Sequence, residues 1–398
     1  MSTAQDILKK VGNYSKDTTQ YLSEMVQIPS LSGEEKEVME KVSQLLDRAG
    51  IKEHWTDGLG NVIARVGSGP KKLAIDAHID TVDTGDVEQW DWEPFSGKVK
   101  DGYVHGRGTV DQEGGAAAMI TAARILQEMN YSGEWTIYFT FTIMEEDADG
   151  MAWLYLIEKE GLKPDYCVIT EPTNLNVYRG HRGRMEMEVY FKGLSAHASA
   201  PERGKNTIYS ASRFAVKLEE LNHKLKTDEL LGKGTLAPTV FASEAPSLCA
   251  IPDKANIHID RRLTWGETKE SALKEINDLL GEDAFVEVPQ YDKPSYKGTI
   301  FKQEKYFPTW KIEENHSLIQ AGVANFRELF ETSPVVDKWT FSTNAVAICG
   351  RYQIPCLGFG PGNEVLAHAP NEKTPIEHLD KAAAFYALLP FTLDGQNK

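Results

Sequence analysis

Apolar positions recur at two different periods along this chain, and the switches between them divide it. Val38, Val42, Leu45 and Leu46 fall at helical spacing. Residues 33–50 therefore read as a helix, with Ser32 as its N-cap, an acidic first turn at Glu34, Glu35 and Glu37, and Gly50 as its stop. Another helix precedes it within 1–50, and 55–66 reads as a strand or hairpin turning at Asp57-Gly58 and Gly60-Asn61. Three apolar, β-rich runs follow, around 73–78, 135–144 and 166–170, separated by helical stretches at 116–129 and 151–160. Each run ends on polar residues: His78-x-Asp80, Glu145-Glu146 and Glu171. In an alternating β/α chain such ends converge on one edge of the sheet, where ligands bind.

From Gly180 the period becomes two. Met185, Met187, Val189 and Phe191 alternate with charged or polar partners, the mark of a sheet with one wet face. A helix at 206–225, strands near 239–243 and 255–263, a helix at 269–280 and a strand at 285–289 complete a β-α-β-β-α-β order. We therefore expect an inserted ferredoxin-like domain at 180–295. The chain then returns to the first unit with helices at 317–329, 345–350 and 376–389 and a strand at 355–359. The expected fold class is α/β: a mixed-sheet catalytic domain from 1–179 and 296–398, with an inserted α+β lid.

The length of 398 residues agrees with two cores rather than one. A net charge of −16 argues against nucleic acid as a partner. Cys167, Cys249, Cys349 and Cys356 form no C-x-x-C pair, so neither a disulfide framework nor a thiolate zinc site is expected. No window is apolar enough to span a membrane, and the first residues carry no apolar stretch behind their charges. The expectation is a cytoplasmic protein with reduced thiols.

Taken singly, each polar cluster has a plain structural reading. His78 and Asp80 share one strand face and could simply hydrogen-bond. Asp111, in the Gly-rich loop before a helix, could be a cap. The acids at 145–149 could form a solvated turn, Gly360 and Gly362 could be turn punctuation, and His368 a surface residue. Together, His78, Asp111, Glu146, Glu171 and His368 supply two imidazoles and three carboxylates, each after a strand. That count serves two zinc ions if one carboxylate bridges, and these donors also suit Co²⁺ or Mn²⁺. Glu145 is left over to act as a base.

The motifs His78-x-Asp80, Gly106-Arg-Gly-x-x-Asp111-x-x-Gly-Gly115, Glu145-Glu146, Glu171-Pro172 and Ala367-His368 with Asn371-Glu372 come in order across nearly the whole chain. They resemble the zinc-dependent aminoacylase, acetylornithine deacetylase, succinyl-diaminopimelate desuccinylase and glutamate carboxypeptidase family. The resemblance implies His78 and Glu171 on one metal, Glu146 and His368 on the other, Asp111 bridging and Asp80 supporting His78. It implies that Glu145 takes a proton from a metal-bridging water that attacks an amide carbonyl, and that the Asp111–Gln112 peptide is cis. Gly193-Leu-Ser-Ala-His197 matches the family's lid histidine, implying that His197 reaches a neighbouring subunit's site in a homodimer formed through the lid. Asp260-x-Arg262 implies Arg262 as the grip for a substrate carboxylate, with a cross-strand ion pair and the adjacent Arg261 as alternatives. Asn344 and Gly360 are further expected substrate contacts.

The chain also departs from the family pattern. Gln112-Glu113 stands where many relatives have Met-Lys, and Cys249 stands in a lid position often taken by Asn. With Phe341-Ser-Thr-Asn344 these choices resemble a branch linked to selenium-dependent purine metabolism. An acid at 113 suggests a substrate with a cationic group. The expected activity is hydrolysis of an N-acyl amino acid or small dipeptide. The alternatives are a ureido or carbamoyl amidohydrolase, and a catalytically inactive peptide-binding relative.

Overall fold

The structure is a computed structural model that describes residues 2–395, so the expected outer limits of the first unit, 1 and 396–398, lie outside it. The chain opens with α1 (Thr3–Val26) and α2 (Lys36–Arg48). α2 begins later than the apolar spacing predicts. Ser32 is not its cap but donates its hydroxyl to Asp80 Oδ2 at 2.6 Å, and Glu35 turns inward to accept the Met144 N–H at 3.1 Å. Both residues serve the polar edge of the sheet instead of the helix end.

The hairpin of β1 (His54–Thr56) and β2 (Val62–Val66) leads to β3 (Lys71–His78), α3 (Glu113–Glu128), β4 (Trp135–Thr142), α4 (Met151–Glu158), β5 (Tyr166–Ile169) and β6 (Val177–Tyr178). The inserted unit contains β7 (Gly183–Lys192), α5 (Thr207–Lys224), β8 (Thr235–Glu244), β9 (Lys254–Leu263), α6 (Lys269–Asn277) and β10 (Ala284–Glu287). The return leg carries α7 (Ser317–Phe330), β11 (Val336–Asp337), a π-helical turn at Val346–Arg351, β12 (Cys356–Gly358) and α8 (Ile376–Gly395).

The large sheet runs β1-β2-β4-β3-β5-β12-β6-β11. β4, β3, β5 and β12 are mutually parallel and form its centre. Buried on both faces, these strands read as near-continuous apolar runs. On one face α1, α3 and α8 pack together over Ile75, Ile120 and Phe385. On the other, Trp153, Leu156 and Ile348 cover Ala74 and Ile169. The small sheet runs β8-β9-β7-β10, all antiparallel, with Tyr306–Phe307 added beside β7. Met185, Met187 and Val189 on β7 and Ile257 and Ile259 on β9 pack against Phe214, Leu218 and Ile276 of its two helices.

Where the chain leaves and re-enters the large unit, Gly180–His181 pairs with Trp310–Lys311. Here Trp310 donates its indole N–H to His181 Nε2 at 2.7 Å. Because indole can only donate, the His181 proton sits on Nδ1, which faces the Arg182 carbonyl at 2.9 Å.

Candidate metal centre

Three parallel strand ends deliver the first four polar groups. His78 closes β3, Glu145 and Glu146 follow β4, and Glu171 follows β5. Asp111 comes from the loop before α3, where the Asp111–Gln112 peptide is cis. His368 arrives from the loop after β12 with φ 60°, and Met144, just before the acidic pair, has φ 59°. Both lie in the left-handed region that ordinary side chains avoid, so the surrounding contacts hold them there.

The five groups converge. Asp111 presents Oδ1 to His78 Nε2 at 3.0 Å and Oδ2 to His368 Nε2 at 3.2 Å. Glu171 Oε1 lies 3.5 Å from His78 Nε2, and Glu146 lies 3.1 Å from His368 Nε2. Two overlapping clusters have ligand atoms close enough to share one ion: His78, Glu145 and Glu171, and His78, Asp111 and Glu146. Glu145 is buried, 3.9 Å from His78, and its Oε1 has no hydrogen-bond partner; neither has Glu171 Oε2.

Burial drives the electrostatics. It pushes Glu171 up to about 8 and Glu146 to about 7, in each case with the Asp111 charge adding to it. Glu145 is raised well above the carboxylate range by burial and by Asp149. Burial would raise Asp111 too, but hydrogen bonds from His368 and His78 outweigh it and keep the carboxylate ionised. His368 is lifted to about 10 by Asp111 and Glu146. So many buried carboxylates facing two imidazoles are costly unless cations neutralise them. The unpartnered oxygen of Glu171 and the all N/O donor set fit a pair of divalent ions, and the unpartnered oxygen of Glu145 lies beside them.

The surrounding residues explain how the cluster is held. Asp80 accepts the N–H groups of Glu145 and Glu146, both at 3.0 Å, besides the Ser32 hydroxyl. Nδ1 of His78 is oriented mainly by the Asp80 backbone carbonyl at 2.9 Å, the carboxylate lying at 3.5 Å. Glu372 accepts the Val110 and Asp111 N–H groups at 2.7 and 3.1 Å and is ion-paired with buried Arg107 at 2.6 Å. Arg107 in turn reaches the carbonyl of His368. The Arg107–Glu372 pair thus joins the Asp111 loop to the His368 loop. Both residues stand inside motifs visible in the sequence, but nothing in their spacing reveals that they meet.

A cavity of about 280 Å³ opens beside the cluster, lined by Asp149, Arg184, Arg262, Ser342 and Glu364 as well as Asp111, Glu145, Glu146, Glu171 and His368. Three expected contacts are not among its walls. Asn344 is 1% exposed and fully engaged, accepting the Gly150 N–H and donating to Asp76 and Thr142, so it is a structural clamp. Gly360 is packed against the Thr170 and Glu171 carbonyls, where an added Cβ would lie 2.1 Å from the former. Its requirement is close strand packing. His197 is exposed on the lid, and its imidazole is hydrogen-bonded, among the described residues, only to Ser199. Glu113 also proves to be internal, 1% exposed, so it gives no reason to expect a cationic substrate. The choice between neighbouring arginines is clear: Arg261 is buried against Glu267 and Glu275, and Arg262 faces the cavity.

Comparison with known proteins bears on this geometry. A family model described as peptidase family M20/M25/M40 matches residues 74–391. The Escherichia coli (strain K12) protein YgeY is 47% identical over 389 residues, covering 97% of this chain and 96% of its own. A protein of Staphylococcus aureus (strain Mu50) named "Probable succinyl-diaminopimelate desuccinylase" is 26% identical, covering 90% of this chain and 94% of its own. Among solved structures, the Bacillus subtilis YXEP protein, titled a dinuclear metal binding peptidase from the M20 family, superimposes with a TM-score of 0.70 at 17% identity. That match covers 95% of this chain and 98% of the other. No helix among the described residues is long and apolar enough to cross a membrane.

Proposed function

Because the chain belongs to peptidase family M20/M25/M40, and so is a metal-dependent hydrolase of peptides or acyl amino acids, we propose that it hydrolyses the amide bond of an N-acyl amino acid or small dipeptide at two divalent ions. The observation that carries this reading is Asp111, whose two oxygens face two different histidines. In this assignment His78 and Glu171 hold one ion, Glu146 and His368 the other, and Asp111 joins them. Zn²⁺ fits the donors best, with Co²⁺ and Mn²⁺ admitted by the same chemistry. A cavity of about 280 Å³ favours a small substrate.

When bound, the ions supply Lewis acidity toward the amide carbonyl and acidify a water. The protein supplies the rest. Glu145, buried with one oxygen unpartnered, takes the proton of the attacking water and delivers it to the leaving nitrogen. Asp80 fixes the turn that carries it. His197 accepts the Ser199 N–H on Nδ1 at 3.1 Å, which leaves its Nε2–H free to donate to an oxyanion. Its absence from the cavity walls of its own chain supports its coming from a second copy. The proposed active form is therefore a homodimer through the lid.

Glu145→Ala decides the assignment. Turnover of an N-acyl amino acid should fall by about 10³-fold or more while two equivalents of metal stay bound, measured by elemental analysis after desalting. Loss of an ion with the side chain would make Glu145 a ligand and overturn its role as base.

A further inference from the structure

The lid has a cavity of its own, of about 180 Å³, which shares no residue with the one at the metal centre. Its walls come from α5, from the turn after α6 and from Phe191 and Ala284, which pair where β7 ends and β10 begins; none comes from β8. The floor is apolar. Phe191 and Phe214, almost fully buried, meet edge to face at 5.6 Å between ring centroids, and Leu279 and Leu280 close one side. An apolar cavity of about 150 Å³ is enough for a benzene ring, so the space suits a ring or a short chain.

The rim has the opposite character. Lys192, Arg213 and Lys217 line the cavity against a single acid among the described residues, Asp283, in a chain whose net charge is −16. That acid is already ion-paired with Lys205. Arg213 and Lys217 stand one turn apart on α5, where like charges weaken a helix. Lys217 gives one donor to the Leu279 carbonyl at 3.2 Å, and the Lys192 ammonium lies 5.0 Å from the Phe285 ring centroid. Arg213 is exposed and has no hydrogen bond or ion pair among the described residues. Its planar fork is open to a carboxylate. The cavity also stands at the foot of the His197 loop, which starts after Lys192, is closed by backbone pairing of Leu194 with Lys205, and is tied to the cavity wall through the Lys205–Asp283 pair.

We propose that this cavity binds a small carboxylate with an apolar body, the ring or chain on the Phe191–Phe214 floor and the carboxylate on Arg213, with Lys192 and Lys217 adding to the field. Nothing in this site depends on the chemistry at the metals. Phenylacetate, phenylacetamide and acetate are titrated calorimetrically into the metal-loaded protein. Phenylacetamide keeps the ring without the charge and acetate keeps the charge without the ring, so each should bind at least about 10-fold more weakly than phenylacetate. Arg213→Glu should weaken phenylacetate roughly 10- to 100-fold. Ser210→Trp, which fills the cavity from α5 without changing its charge, should weaken it at least about 10-fold.

A carboxylate held at the metals would be indifferent to both substitutions, so the loss reports the lid cavity alone. Absence of saturable phenylacetate binding overturns the assignment, as does equal binding of the acid and its amide, acetate binding as tightly as phenylacetate, or an affinity that survives Arg213→Glu. Should Ser210→Trp fail to fold, the substitution at exposed Arg213 still decides.

Discussion

His181 carries no chemistry in the proposed reaction, yet it is the residue whose protonation the fold forbids most clearly. It is fully buried, its Nε2 accepts from Trp310 and from the Thr343 N–H, and burial lowers its pKa to about 4. The folded chain thus keeps it neutral over a range in which the unfolded chain binds a proton. The stability it contributes is complete above pH 6.5 and is lost as pH falls toward 4, by up to about 1.4 kcal/mol per pH unit. Urea unfolding between pH 4.5 and 6.5 should show that slope in the unmutated protein and a shallower one in His181→Gln. Glu372 behaves oppositely in kind. Removing it leaves Arg107 as an uncompensated buried charge, so Glu372→Gln should cost roughly 3–5 kcal/mol, measured by chemical denaturation. The double variant Arg107→Met with Glu372→Met should recover much of that loss while still freeing the Asp111 loop.

At the scale of elements, the ends of β3, β4 and β5 matter more than any strand interior. What pins them is a set of loop-to-loop hydrogen bonds centred on Asp80, which accepts the Glu145 and Glu146 N–H groups and the Ser32 hydroxyl. Asp80→Asn turns one acceptor oxygen into a donor facing backbone N–H groups. It should lower metal affinity or kcat/KM by roughly 10- to 100-fold with little change in melting temperature, checked by metal titration and kinetics. These elements also mark where sequence reasoning succeeds and stops. Apolar runs and the residues that end them are local signals, so β3, β4, β5, the β-α-β-β-α-β insertion and the polar strand ends are legible from spacing alone. Ser32, Glu35 and Asn344 are not, because each looks like a cap, a helix acid or a substrate contact until the chain closes on itself. Arg184 is hidden for a related reason: strict alternation marks it as polar and outward, and only the packing of β7 against the large unit makes outward mean toward the cavity. The contact between Arg107 and Glu372, 265 positions apart, leaves no trace in composition or period.

At the scale of the molecule, the lid offers an unfinished edge. β8 pairs with β9 on one side only, and along it Val240 and Phe241 are 51% and 48% exposed. An edge strand carrying exposed apolar side chains is a template for pairing with another chain, and two-fold pairing of identical edges closes on itself as a dimer. If the proposed dimer forms there, Phe241→Lys should shift sedimentation from dimer to monomer without loss of bound metal. A complementation experiment then settles whether His197 works across that contact. His197→Ala and Glu145→Ala proteins, each inactive as a pure dimer, are mixed and allowed to exchange subunits. A histidine acting in trans gives each heterodimer one site with both groups intact, so the mixture should regain about a quarter of the unmutated activity. A histidine acting within its own chain leaves every site lacking one group or the other, and the mixture stays dead.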